Sequence, residues 1–67
     1  MALSENIKLM RESRGLSQSE LAEKIGLQKQ NVSVYERGVK VPTVEKLVVI
    51  ADTLQCSTDK LLGRNLT

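Results

Sequence analysis

Apolar positions along the chain fall into short clusters at helical spacing, and most clusters end at a glycine. Ile7, Met10 and Arg11 share a face at i, i+3, i+4, which predicts a first helix from roughly Ser4 to Arg14. Ser4 is the expected N-cap, and Gly15 the left-handed residue that stops the helix. The second helix opens on Ser17-Gln18-Ser19-Glu20, the pattern of a capping box, with Leu16 and Leu21 placed to staple its entry. Leu21, Ala22 and Ile25 form its inner stripe and Gly26 its stop. A third helix runs from about Gln28 or Lys29 to Arg37, with Val32 and Tyr35 inward and Gly38 at its end. After the loop Val39-Lys40-Val41-Pro42, Thr43 caps a fourth helix that has Glu45 in its first turn and Leu47, Ile50, Ala51 and Leu54 inside. A fifth turn from Ser57 or Thr58 to Leu62 closes the core with Leu61 and Leu62, and residues 64–67 are expected to fray. No run alternates in the manner of a strand. The expectation is an all-α chain of five short helices forming one compact domain over residues 1–67.

The second and third helices are separated only by Gly26, Leu27 and Gln28. So short a connection forces the two into contact at a steep angle. A close crossing needs a small residue in the first helix, and Ala22 supplies it. The turn needs a residue that accepts positive φ, and Gly26 supplies that. From about Gln18 to Arg37, therefore, the pattern is a helix-turn-helix whose second helix shows a mostly polar outer face.

Composition narrows the chemistry. Hydrophobic residues make up 40% of the 67, enough for a core, but Tyr35 is the only aromatic, so the core is aliphatic. A domain of this size folds with little stability to spare. Cys56 stands alone, which rules out an intramolecular disulfide or a cysteine-based zinc cluster. Histidine is absent, and with it the commonest metal ligand and general base. No metal, cofactor or small-molecule ligand is expected, and an enzyme is the least favoured class. No apolar run approaches the ~20 residues of a membrane span, and the first residues lack the basic start and apolar stretch of a signal peptide. A cytoplasmic protein is the expectation. The net charge of +2 says little about partners; its distribution says more, since Lys29, Arg37 and Lys40 outnumber Glu36 between residues 29 and 40.

The run LSQSELAEKIGLQKQNVSVYERGVKVP resembles the lambda-repressor-like, Cro-type helix-turn-helix family of phage and bacterial transcriptional regulators. The resemblance extends from Ile7 to Gly63 and rests on Gln-x-x-Leu-Ala, Gly26, the Tyr-Glu-Arg-Gly run and the closing helices at fixed spacing. It implies a regulator, most simply a repressor, that binds double-stranded DNA in the major groove as a homodimer on a pseudo-palindromic operator. By resemblance, Lys29, Gln30 and Val34 occupy positions that meet base edges, and Gln28 and Ser33 flank them in that base-reading set, with bases or phosphates in reach. Gln18, Asn31, Arg37 and Lys40 fall at phosphate-contacting positions. Arg11 and Glu36 match a pair that links the first helix to the end of the third, and a structural ion pair is the preferred reading. The side-chain chemistry permits these roles: a glutamine can bond adenine N6 and N7, a lysine can donate to guanine O6 or N7, and a valine can touch a thymine methyl.

Glutamine and lysine on an outer helix face ordinarily mean solvation, so the surrounding motif carries the weight. The alternative in a different class is a protein-interaction module that uses the same fold without specific DNA binding. Leu9, Val48 and Val49 have no obvious inner position, and Val39, Val41 and the fourth helix are candidates for a dimer contact. Cys56 is expected as a small core residue. Gln55 stands where the family often has glycine, so it is expected either to loosen that helix end or to adopt positive φ at a cost. The chain starts without a basic arm, and minor-groove reading by an arm is not expected.

Overall fold

The computed structural model describes residues 2–63, and the expected fraying of residues 64–67 lies outside them. Among the described residues there are five helices and no strand: α1 (Ala2–Ser13), α2 (Gln18–Lys24), α3 (Lys29–Glu36), α4 (Val44–Thr53) and α5 (Thr58–Leu62). None is long and apolar enough to cross a membrane.

Local sequence sets most of the helix ends. Ser17 Oγ accepts from the Glu20 amide at 3.0 Å while Glu20 Oε1 accepts from the Ser17 amide at 2.8 Å, which completes the capping box of α2. Thr43 and Ser57 cap α4 and α5 in the simpler way, each accepting from the amide three residues on. At the other end, α1 to α4 close alike. The amides of Leu16, Leu27, Val39 and Cys56 donate back to the carbonyls of Arg11, Ala22, Val34 and Ala51, each across one left-handed residue. That residue is glycine three times and Gln55, at φ 56°, once. This is the Schellman closure, in which the residue after the left-handed one is typically apolar.

One boundary differs from the sequence expectation. The first helix begins at Ala2, so Ser4 lies inside it and is not its N-cap. The cause is Leu3, which is buried four residues before Ile7 and extends the inner stripe upstream. Ser4 instead lies beside Gly38, whose backbone faces its Oγ.

The core joins all five helices. Leu3, Ile7, Leu21, Ala22, Ile25, Val32, Leu47, Ile50, Ala51, Leu54 and Leu61 are buried in one cluster, and Tyr35, Leu62 and Cys56 pack half-buried against it. Each large aliphatic side chain removed from water stabilises the fold by about 1.5–3 kcal/mol before entropy is counted. Burial pushes the Cys56 thiol above its usual pKa, the behaviour of a packing residue with little thiolate character. Three side chains close helix ends at long range. Asn6 donates to the carbonyls of Lys60 and Leu61, Arg14 to those of Leu54 and Gln55, and Lys46 to that of Ile25.

Candidate nucleic-acid interface

The two sides of α3 differ sharply. Val32 is fully buried and Tyr35 leans on the core, which pins the back of the helix. At its N-terminal end Gln28, Lys29 and Gln30 are exposed, and one turn further on Ser33 and Val34 are half-buried. The outward face thus offers two amides and an ammonium at its tip, with a hydroxyl and an isopropyl group behind. Asn31 is committed in part to the helix start, where its Oδ1 accepts from the Gln28 amide at 3.2 Å. The support beneath is α2, which crosses α3 closely with Ala22 buried; Gly26 makes the turn at φ 73°.

The far end of α3 is held by charge. Arg11 donates from Nε to Glu36 Oε2 at 2.6 Å and from Nη2 to Oε1 at 3.0 Å, and its Nη1 reaches the Leu16 carbonyl at 2.7 Å. The two side chains are only 9% and 3% exposed. The hydrogen bond to Glu36 raises the Arg11 pKa above its ordinary value, outweighing the opposing effect of burial. Two parallel bonds of this kind fix both distance and orientation between α1 and α3. Glu36 Oε1 also accepts from Gln18 Nε2 at 3.0 Å, which ties the first residue of α2 to the last of α3. Arg37 follows as the exposed C-cap of α3, and Lys40 is exposed in the next loop.

A known family arranges its chain in this way. Residues 7–61 match the helix-turn-helix family model. The chain belongs to the helix-turn-helix family, among its lambda-repressor-like, Cro-type members from phage and bacterial regulators. It is 38% identical over 64 residues to the cryptic phage CTXphi transcriptional repressor RstR of Vibrio cholerae, an alignment that covers 96% of this chain and 57% of that one. The chain spans about half the length of the first curated relatives it matches. Among solved structures, the P22 c2 repressor in complex with synthetic operator 9T superposes with a TM-score of 0.86 at 30% identity, covering 91% of this chain and 92% of that one. SinR of Bacillus subtilis, the master regulator for biofilm formation, in its complex with DNA gives 0.83 at 36% identity, covering 90% and 97%.

Within this helix-turn-helix domain the sequence-predicted residues sort into two groups. Gln28, Lys29 and Gln30 gather at the tip of α3, with Ser33 and Val34 behind them. At the opposite end Gln18 bonds to Glu36, and Arg37 is the residue that follows it. Asn31 sits with the first group and Lys40 beyond the second. Sequence reasoning missed the Gln18–Glu36 bond. It spans 18 positions and two helices, and no local pattern encodes it.

Proposed function

We propose that this domain is a sequence-specific double-stranded DNA-binding transcription regulator, a repressor, acting in the cytoplasm as a homodimer on a pseudo-palindromic operator. The observation that carries the reading is α3 itself: one face anchored by Val32 and Tyr35, the other presenting Gln28, Lys29 and Gln30 to solvent. A major groove about 12 Å wide admits one such helix. Lys29, Gln30 and Val34 meet base edges, flanked by Gln28 and Ser33, while Gln18, Asn31, Arg37 and Lys40 contact phosphates. The solved complexes of the P22 c2 repressor with a synthetic operator and of SinR with DNA support the partner.

An eight-residue α3 reads few bases, which favours two copies on two half-sites about one helical turn apart. Val39, Val41, Val44 and Val48 are all exposed around the start of α4 and supply apolar surface for that pairing. The role is binding, not catalysis.

Selection of bound sites from random duplex DNA, followed by gel-shift titration of variants, tests the proposal. Gln30→Ala shifts the preferred sequence, whereas Arg37→Ala weakens binding to all sequences alike. Equal loss on every sequence for Gln30→Ala removes the base-reading role. Failure of the unsubstituted protein to bind any duplex at low salt points instead to a protein-interaction module.

A further inference from the structure

We infer that Glu36, held by Arg11, is a positioning residue for DNA binding that acts through the side-chain amide of Gln18. The inference rests on the reading of Gln18 as a phosphate contact. Glu36 Oε1 receives Arg11 Nη2 and Gln18 Nε2, each at 3.0 Å, while Oε2 receives Arg11 Nε. An ionised carboxylate only accepts hydrogen bonds. The Gln18 amide therefore cannot reverse, because its own oxygen would then face the carboxylate. Nε2 carries two N–H groups, and Glu36 takes one of them. The second has its direction set by the amide plane.

This amide bonds to Glu36, the residue directly before the exposed Arg37, which is itself a proposed phosphate contact. A glutamine side chain otherwise loses rotamer freedom when it is fixed against a ligand. Here the ordering is already present in the free protein. The positive charge of Arg11 also offsets that of Glu36, so a DNA phosphate approaching Gln18 does not meet an unbalanced carboxylate. A plain tie between α2 and α3 would account for the same bond, and the two roles differ in what they change: the tie affects melting, and the positioning role affects DNA affinity.

The test places Gln18→Ala in two backgrounds, the unsubstituted protein and Arg11→Met/Glu36→Leu, which replaces the buried pair with apolar side chains. Such replacements generally keep the fold. Glu36→Gln, whose amide no longer dictates the Gln18 orientation, serves as a second background should the first not fold. Affinity is measured by fluorescence anisotropy on a duplex selected from random DNA, on protein shown to be folded by its melting curve. A hydrogen bond to a charged group predicts that Gln18→Ala loses roughly tenfold in the unsubstituted protein. In either altered background the starting affinity is lower, and Gln18→Ala costs less than about twofold more, with base preference unchanged. The inference is overturned if the tenfold loss persists in the altered backgrounds, or if Gln18→Ala lowers melting without lowering affinity. If the unsubstituted protein binds no duplex at low salt, the failure lies with the DNA-binding reading itself.

Discussion

Gln55 is the one non-glycine residue among the described ones that holds a positive φ, 56°, and it does so at the stop of α4. An L side chain in this region brings its Cβ close to the following carbonyl, at a cost of roughly 1–2 kcal/mol. The bond from the Cys56 amide to the Ala51 carbonyl and the Arg14 guanidinium on the Leu54 and Gln55 carbonyls hold the turn in place regardless. Gln55→Gly keeps both sets of bonds, because none of them uses the Gln55 side chain. The expected result is a stability gain of up to about 1 kcal/mol after the added freedom of glycine in the unfolded chain is subtracted, read as a higher Tm by differential scanning calorimetry. A lower Tm would show that the Gln55 side chain contributes something beyond its backbone.

At the scale of the element, α2 depends on its first turn. The backbone N–H of Ser17 holds the Glu20 carboxyl below the usual carboxylate range, aided by the Ser17 hydroxyl. A carboxylate whose pKa falls on folding contributes stability above its unfolded pKa and loses it as pH drops through the lowered folded value. The Tm difference between the unsubstituted protein and Glu20→Gln is therefore full at neutral pH and vanishes in strong acid; a difference that persists there assigns the effect to something other than charge. The same element shows what was legible in the sequence. Ser17, Glu20 and Gly26 act within a few residues of one another, and they announced both ends of α2. Gly15 and Gly38 likewise marked the C-terminal ends of α1 and α3. The start of α1 was misplaced because a serine resembled a cap, while the deciding contact was the burial of Leu3 against distant helices. The face of α3 followed from Val32 and Tyr35. The alignment of Gln18 on Glu36 did not, since it exists only once α2 and α3 have crossed.

For the molecule as a whole, ten basic against eight acidic residues give a net charge of only +2. Nonspecific attraction to a polyanion is correspondingly modest, and binding depends on where individual cations stand. Each cation that neutralises a phosphate releases counterions and steepens the dependence of log K on log salt by about 0.9. Arg37→Ala and Lys40→Ala are each expected to flatten that slope by about 0.9, measured by anisotropy titrations over a series of salt concentrations. Gln18→Ala, a loss without charge, leaves it unaltered. An unchanged slope for Arg37→Ala would remove that residue from the backbone contacts.

The long-range closures by Asn6, Arg14 and Lys46 carry a further consequence. The last carbonyls of α5, α4 and α2 are satisfied from α1, from the residue following it, and from α4. Each of these three helix ends is thus completed by a segment remote in sequence, and none of α2, α4 and α5 can detach without breaking one of these bonds. Opening is then all-or-none, with few partly unfolded species between native and denatured. Native-state hydrogen exchange should find the protected amides of α2, α4 and α5 converging on one opening free energy, and Lys46→Ala should lower it for α5 as well as for α2.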